Sequence, residues 1–340
     1  MTKRPGICRP FLAAAAMIGA AGIPAVAAAQ TPLQRAATGQ PAAHANQFVT
    51  LGTLGGPVSS AARSQPANAL LVGTDVYVID AGDGTVQQLA KIGVRVGQIR
   101  AVFISHLHFD HTGGLGALLG LRLQTRVPGR LAIYGPAGIK GLVAGLVGSM
   151  KPVSIAGYGI PGQGFDDPAS TVEVIELADG QSLPVGPMTV RARQNTHYDF
   201  AKGSDMDARF QSVSLRFDLP DRCIVYTGDT GPSSAVEELA TGADLLVSEM
   251  IDLDATVAAI RRSSPDAGAP QILNAIEHLR KHHLTPADVG KLARVAAVKS
   301  VVVTHLAGDD PSSADILRYL KDISAAYSGP VVVASDLDTF

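Results

Sequence analysis

The feature that most constrains the fold is a run of polar side chains directly after a buried-strand pattern. Residues 101–105 form a short apolar run with β-branched members, which predicts a buried strand. The chain then reads His106-Leu-His108-Phe-Asp110-His111. Imidazole and carboxylate groups are ordinary ligands for Zn²⁺ and its first-row neighbours. Four such groups in six positions therefore predict a metal site at the end of a strand.

Three further candidate ligands follow predicted strands later in the chain. A single histidine or aspartate at a strand end is typical of a structural residue, but the three together with the first motif would supply enough ligands for two metals. The seven candidates are His106, His108, Asp110, His111, His197, Asp229 and His305. Asp80 ends another predicted strand in Asp-Ala-Gly, which favours a turn or support for a ligand over direct ligation.

Strand and helix patterns recur in two similar halves, each of which mixes hairpins with strand–helix units. For example, residues 69–72 and 76–79 flank a Gly-Thr-Asp turn, and Thr285-Pro286-Ala287-Asp288 predicts a capped helix start. Two mixed sheets packed face to face, with helices outside, would bury these runs. We therefore predict an α/β fold, an αββα four-layer sandwich, as a single catalytic domain over residues 48–340. The segments 152–169, 199–210 and 252–270 are predicted loops.

Composition narrows the class of protein. With 46% hydrophobic and 17% charged residues, the 340-residue chain can bury a sizeable core, which excludes a disordered chain. A formal net charge of −2 argues against a general nucleic-acid binder. Only 5% of residues are aromatic and Trp is absent, which argues against a base-stacking surface.

The first 29 residues have the pattern of a secretory signal. Lys3, Arg4 and Arg9 precede an apolar run over residues 11–26, and Ala27-Ala28-Ala29 fits a cleavage site. We expect cleavage after Ala29, a mobile leader over residues 30–47, and a periplasmic or secreted mature chain. No other stretch is predicted to span a membrane. Cleavage leaves Cys223 alone, in a strand context that favours a buried structural thiol.

At this point the sequence resembles a known family. The matching stretches are VIDAG at 78–82, the His106–His111 motif running into Gly-Gly-Leu, IYGPAGI at 133–139, YTGDT at 226–230, LLVSE at 245–249, His283-Leu-Thr and Thr304-His305. They resemble the metallo-β-lactamase superfamily, most closely its ribonuclease Z and arylsulfatase-like group. The resemblance covers residues 48–340 and implies an αββα sandwich with a dinuclear site.

The resemblance also implies a role for each site residue. His106, His108 and His197 resemble the ligands of the first metal, Asp110, His111 and His305 those of the second, and Asp229 the bridging carboxylate. Glu249 and His283 resemble the pair that assists the leaving group, and they are predicted together with Asp110 as catalytic residues. The implied cofactors are two Zn²⁺ ions per chain, with Mn²⁺ or Fe²⁺ fitting the same ligands. A metal-bound hydroxide would attack the substrate.

Departures from the family guide the expected substrate. Ribonuclease Z carries a long basic arm between its third and fourth motifs, but here His197 and Asp229 are only 32 residues apart. That spacing, the acidic charge and the expected export lead us to expect a small phosphodiester or sulfate ester and no long nucleic acid. The alternatives are a lactone, a β-lactam or another carboxylic ester, and more remotely a non-catalytic metal-binding module.

Three points stay open in the sequence. Neighbouring His282 leaves it undecided whether His282 or His283 is the proton donor. His278 and His282 lie four residues apart on a predicted helix, where a solvated face is favoured over a metal-binding pair. The sequence does not indicate the oligomeric state, and a homodimer is one alternative.

Overall fold

The apolar runs of the first half form a six-stranded sheet in the computed structural model, which describes residues 46–263, 268–307 and 310–340. Its strands, in spatial order, are β1 (Gln47–Gly52), β3 (Ala67–Val72), β4 (Asp75–Ala81), β5 (Ile99–Phe103), β6 (Leu131–Gly135) and β7 (Val172–Glu176). The first three are antiparallel and β4 to β7 are parallel. The predicted Gly-Thr-Asp turn joins β3 to β4, where Gly73 has a φ of 59°.

The second half forms an eight-stranded sheet that is also mixed. In spatial order it contains β14 (Val331–Val333), β13 (Val301–Ala307), β12 (Leu245–Met250), β11 (Cys223–Tyr226), β10 (Val213–Asp218), β9 (Met188–Gln194) and β8 (Ser182–Val185), with β2 (Leu54–Gly55) on β13. The strands from β11 to β14 are parallel, and those from β8 to β11 are antiparallel. Parallel strands place their carboxyl ends at one edge of the sheet, which is where candidate ligands follow β11 and end β13.

Helices flank both sheets. They are α1 (Thr85–Lys91), α2 (Phe109–Thr112), α3 (Leu115–Gln124), α4 (Ile139–Ser149), α5 (Lys151–Ala156), α6 (Asp205–Arg209), α7 (Ser234–Leu239), α8 (Leu253–Ser263), α9 (Ala269–His282), α10 (Pro286–Val295) and α11 (Ser313–Ser324). The predicted capping box at the start of α10 is confirmed. The Thr285 hydroxyl accepts from the Asp288 N–H, and the Asp288 carboxylate accepts from the Thr285 N–H at 3.1 Å.

Three layers of buried side chains define the architecture. The central layer joins the two sheets, with Phe103 of β5 against Phe217 of β10 at a ring separation of 5.3 Å. The second layer packs the outer face of the first sheet against α1, α3 and α4. The third packs the outer face of the second sheet against α7, α10 and α11. The predicted αββα sandwich is therefore confirmed.

Some local predictions were wrong. The predicted loops over residues 152–169, 199–210 and 252–270 contain α5, α6 and α8, respectively. Strand β8 was not predicted, because Pro184 within it argues against a strand. Its place at the edge of the second sheet explains how that proline is tolerated, since an edge strand leaves one row of N–H groups unpaired.

A membrane-length stretch was also not predicted. Among the described residues, Ile139–Ala156 is long and apolar enough to cross a membrane by length and composition, with a mean hydropathy of 1.2. Its first part is α4, in which Ile139, Val143 and Val147 pack on the first sheet as a core helix does.

The predicted signal and nearly all of the predicted leader lie outside the described residues. Both therefore stay predictions.

Candidate metal centre

All seven predicted ligands meet at one edge of the sandwich. His106 and His108 lie on the loop that leaves β5, and Asp110 and His111 begin α2. His197 follows β9, Asp229 follows β11, and His305 lies near the end of β13. The two halves thus supply four and three of the candidate ligands.

The seven side chains form two sets that share Asp229. One ligand atom from each of His106, His108, His197 and Asp229 lies within 4.8 Å of the others. The same holds for Asp110, His111, Asp229 and His305. This division is the one that the family resemblance implies, with Asp229 between the sets. Its Oδ1 lies 3.3 Å from His111 Nε2, and its Oδ2 lies 3.1 Å from His305 Nε2 and 3.8 Å from His106 Nε2.

Glycines allow the loops to come this close. A Cβ atom on Gly82 would lie 2.1 Å from the carbonyl oxygen of Asp110, and one on Gly55 would lie 2.6 Å from His305 Nδ1. Asp80 and His305 themselves have positive φ values of 57° and 54°. Such a backbone costs about 1–3 kcal/mol for a residue other than glycine and is concentrated at functional sites. Here it turns two side chains at strand ends toward the ligand cluster.

Asp80 orients the ligands without being one of the seven. It is fully buried, and its carboxylate accepts hydrogen bonds from the Ser105 N–H at 2.7 Å and the Ser105 hydroxyl at 2.8 Å. His111 Nδ1–H and the Tyr226 hydroxyl each donate to it at 2.8 Å. The bond from His111 leaves Nε2 directed at Asp229. The sequence predicted that Asp80 supports a ligand, but it did not predict a role for Tyr226. The one sequence feature that could have indicated Tyr226 is its position at the end of β11.

The arrangement fits divalent cations. Within the described part of the chain, five buried atoms of the cluster make no hydrogen bond: His106 Nε2, His111 Nε2, both ring nitrogens of His305, and Asp229 Oδ1. Buried polar atoms almost always have a partner, so a group of unpartnered ligand atoms in the two sets indicates bound cations. The donors are imidazole nitrogens and carboxylate oxygens, which suit Zn²⁺, Mn²⁺ and Fe²⁺.

Electrostatics distinguish the two sets. Burial and the neighbouring histidines hold the pKa values of His106 and His197 well below the usual range, so these imidazoles are neutral as ligation requires. In the other set, Asp229 and Asp110 overcome burial and raise the pKa of His305 to about 10, and the pKa of His111 is also raised well above its ordinary value. The carboxylates therefore attract positive charge, which a divalent cation would supply in place of the protons.

A carboxylate–imidazole pair lies beside these sets. His283 Nδ1 donates to Glu249 Oε2 at 2.8 Å, and both side chains are buried. Glu249 raises the pKa of His283 in spite of burial, which favours the protonated imidazole. His283 Nδ1 faces Glu249, so the remaining ring nitrogen is available to the site. Of the two adjacent histidines, His283 therefore has the geometry of a proton donor.

His282 has a different task. Its ring Nδ1 donates to the Thr196 carbonyl at 2.5 Å, and its own carbonyl accepts from His197 Nδ1–H at 3.1 Å. These bonds fix the end of α9 against the loop of His197.

The prediction of a solvated face for His278 and His282 is wrong. His282 is buried, and half-buried His278 lies 5.2 Å from His197, ring centre to ring centre. His278 can join His197 and His283 in a third group of possible ligands.

A cavity of about 370 Å³ opens beside the first set. It is lined by His108, His197, Tyr198, Asp199, Phe200, Phe210 and His278. The low aromatic content of the whole chain argued against a base-stacking surface. The fold nevertheless brings three of its few aromatic rings to the entrance of the site, a local concentration that an average over the chain does not reveal.

Comparison with known proteins identifies the family. Residues 76–306 match the model of the β-lactamase superfamily domain. The chain belongs to this superfamily. Together with the ligand cluster, this makes it a metal-dependent hydrolase. The predicted family is confirmed.

Individual relatives refine the comparison. Ribonuclease Z of Mycobacterium avium is 28% identical over 262 residues, which cover 76% of this chain and 85% of that protein. Among solved structures, the metallo-β-lactamase fold protein YhfI of Bacillus subtilis has a TM-score of 0.62 at 18% identity, covering 87% of this chain and 98% of that one. The short form of human tRNase Z has a TM-score of 0.58 at 21% identity, covering 86% and 98%. These two structures support the fold.

The relatives correct the expected substrate. A small phosphodiester or sulfate ester and the exclusion of nucleic acid were wrong, because the curated relatives are named ribonuclease Z. The error came from using net charge and a missing arm as tests for RNA. Both describe the outer surface, whereas a phosphodiester that is cleaved would be held at the buried ligand cluster, where divalent cations would supply positive charge. A formal charge of −2 therefore does not exclude an RNA substrate.

Proposed function

We propose that this protein is a metal-dependent endoribonuclease that hydrolyses a phosphodiester bond near the 3′ end of a transfer RNA precursor. The observation that carries the proposal is the His283–Glu249 pair, 2.8 Å apart beside the ligand cluster. The names of the relatives, ribonuclease Z and tRNase Z, support the RNA substrate.

The pair matters because of the leaving group. A ribose 3′-oxygen is a strong base and departs slowly unless it receives a proton. Hydrolysis adds water oxygen to phosphorus and breaks the bond from phosphorus to the 3′-oxygen. His283 gives its proton to that oxygen, and Glu249 holds the imidazole in the donating orientation. The products are a 3′-hydroxyl on one fragment and a 5′-phosphate on the other.

We propose two zinc ions per chain as the cofactors. The first would be held by His106, His108 and His197, the second by Asp110, His111 and His305, with Asp229 shared. Bound there, the cations would neutralise the phosphate charge and lower the pKa of water at the site. Metal analysis of the purified protein should return close to two equivalents, and Mn²⁺ or Fe²⁺ in place of zinc would leave the ligand assignment intact.

A labelled precursor transfer RNA with a 3′ trailer tests the proposal. The zinc-loaded protein should cut it at one position and leave a 3′-hydroxyl, which end-labelling and mass spectrometry identify. A scrambled RNA of equal length serves as the substrate control, and the exposed-residue variant Lys281→Ala serves as the protein control. If the loaded protein cuts neither RNA, or releases 3′-phosphate ends, the proposal is wrong.

Salt dependence gives a second, independent test. RNA affinity falls with salt in proportion to the number of phosphates that surface Lys and Arg neutralise. Because no basic arm lies between His197 and Asp229, we expect a shallow dependence of KM on salt. A steep dependence would indicate a basic RNA-binding surface elsewhere on the chain.

We also propose that the first 29 residues are an export signal and that the mature form begins at Gln30; an exported form would cleave RNA outside the cytoplasm, and the precursor transfer RNA of the assay then serves as a model substrate. The basic residues at positions 3, 4 and 9, the apolar run and the Ala-rich end support this. Mass spectrometry of protein recovered from the periplasm or medium of an expressing host should give Gln30 as the first residue. Recovery solely as cytoplasmic protein that retains Met1 would contradict export.

A further inference from the structure

The aromatic entrance of the metal centre has features that the hydrolytic reaction leaves unexplained. Tyr198, Phe200 and Phe210 line the cavity together with His278. Tyr198 lies 5.3 Å from His108 and 5.5 Å from Phe200, ring centre to ring centre. Phe200 stays 37% exposed although it is a large apolar side chain. A cavity that is lined by several aromatic side chains and a few polar groups is typical of a site that binds a ligand.

The charges of this cavity select the part of a nucleotide that it can hold. No lysine or arginine is among its lining residues in the described structure, and Asp199 adds a negative charge. Arg209 is not one of the lining residues, although its guanidinium lies 5.3 Å from the centre of the Phe210 ring. The lining itself therefore offers a backbone phosphate no ion-pair partner. Flat rings and an imidazole instead match a nucleobase, which stacks on aromatic side chains and forms hydrogen bonds along its edge.

The loop that carries the rings is held in place before any ligand arrives. The buried carboxylate of Asp207 accepts from the Gly203 N–H and from Gln194 Nε2, both at 2.7 Å. Ser204 caps α6, since its side chain accepts from the Asp207 N–H at 3.2 Å. On the other side, the Tyr198 hydroxyl accepts from the Leu107 N–H at 3.2 Å. A fixed stacking surface loses little entropy on binding.

We propose that Tyr198, Phe200, Phe210 and His278 form a subsite for one unpaired nucleobase next to the scissile phosphate. This inference rests on the proposed RNA substrate and makes it more specific: the nucleotide beside the cleaved bond must be single-stranded. The phosphate lies at the metal centre, and its neighbouring base enters the cavity and stacks on the rings. A base that is paired in a helix cannot do so, because its faces are covered by its neighbours.

Binding of a non-hydrolysable dinucleotide tests the subsite. The probe has a methylenephosphonate link and 2-aminopurine on one side, whose fluorescence falls when the base stacks. The matched probe has the same link and an abasic site in place of that base. The zinc-loaded wild type should bind the 2-aminopurine probe at least about fivefold more tightly than the abasic probe, since one stacked base contributes about 1–3 kcal/mol.

Variants then locate the base. Phe200→Ala and Phe210→Ala should each weaken binding of the 2-aminopurine probe several-fold and leave binding of the abasic probe unchanged. Asp207→Ala, which frees the loop but keeps the rings, should have a smaller effect of the same kind. Tyr158→Ala removes an aromatic side chain that is 65% exposed and does not line the cavity, so it should bind both probes as the wild type does.

The outcomes separate this inference from the proposed function. Equal affinity of the wild type for the two probes, or equal losses in Phe200→Ala and Tyr158→Ala, would overturn the base subsite. The proposed function would survive that result if precursor RNA is still cut. Failure to cut RNA would remove the proposed function, whereas preferential binding of the 2-aminopurine probe would still support the base subsite itself.

Discussion

The two halves of the sandwich contribute to the metal centre in different ways. The first half provides His106, His108, Asp110 and His111 from one continuous loop after β5. The second half provides its groups singly, from four strands and the end of α9: His197, Asp229, Glu249, His283 and His305. A continuous loop keeps its ligands together by chain connectivity. The second half depends on strand pairing and sheet packing to bring its groups within reach.

Asp80 links these two kinds of construction. It belongs to the first sheet, orients His111 of the continuous loop, and receives the Tyr226 hydroxyl from the second sheet. The metal centre is thereby connected to the packing between the sheets. Changes at Asp80 or at the shared Asp229 should therefore affect both metal sets, whereas changes at any other ligand should affect mainly the set to which that ligand belongs.

The largest effect is expected from Asp229→Ala. This residue is common to both sets, so its loss should reduce bound metal at both and lower RNA cleavage by roughly 10³-fold or more, because several kcal/mol of charge stabilisation disappear. Metal analysis and single-turnover cleavage measure the two effects. Asp221→Ala, at an exposed turn before β11, is the control. Retention of two metals by Asp229→Ala would show that the sets are independent.

His283→Ala should remove proton donation and leave the metals in place. We expect cleavage of RNA to fall by roughly 10²–10⁴-fold, the usual contribution of a general acid. An RNA in which the leaving 3′-oxygen is replaced by sulfur needs no proton and should be cut at close to the wild-type rate. Loss of metal, or an equal loss for both substrates, would mean that His283 is a ligand or a structural residue. Lys281→Ala controls for disturbance of α9.

Asp80→Asn should weaken metal binding by about 10–100-fold, as is usual when the partner of a ligating histidine changes. The amide cannot accept as a carboxylate does from Ser105, His111 and Tyr226 at once. Competition with a chromophoric chelator measures the change. Asp75→Asn lies on the same strand, where Asp75 pairs with exposed Arg100, and should keep wild-type affinity. If Asp80→Asn and Asp75→Asn bind metal with equal affinity, Asp80 does not contribute to the metal centre.

The smallest effect is expected from Tyr226→Phe, which removes one hydrogen bond between the sheets. Stability should fall by about 1 kcal/mol, measured by urea unfolding of the zinc-loaded protein. Tyr327→Phe also loses one buried hydrogen bond, from its hydroxyl to the Val298 carbonyl at 3.0 Å, but far from the ligands in the outer layer. Both should be destabilised to a similar degree, and only Tyr226→Phe should lose metal affinity. If Tyr226→Phe binds metal as tightly as the wild type does, the hydrogen bond from Tyr226 to Asp80 does not support the metal centre.

Local patterns predicted much of the fold. Buried parallel strands such as β5, β12 and β13 read as apolar runs, and the capping box marked the start of α10 within a residue. Helix α8 was not predicted because the Ser263-Ser264-Pro265 stretch and Gly268 are typical of a loop. Strand β8 was not predicted because a proline is tolerated in a strand only at the edge of a sheet. Whether a strand lies at an edge depends on the strand order of the whole fold, which local sequence does not show.

The sequence by itself determined the ligand types, the continuous loop and the family, because these depend on chemistry and spacing over a few residues. Only the tertiary structure decided that His283 rather than His282 faces Glu249, that Tyr226 supports Asp80, and that three aromatic rings surround the entrance. Each of these is a contact between residues distant in the chain. Such contacts depend on the register and packing of two sheets, so a single residue's place along the chain does not contain them.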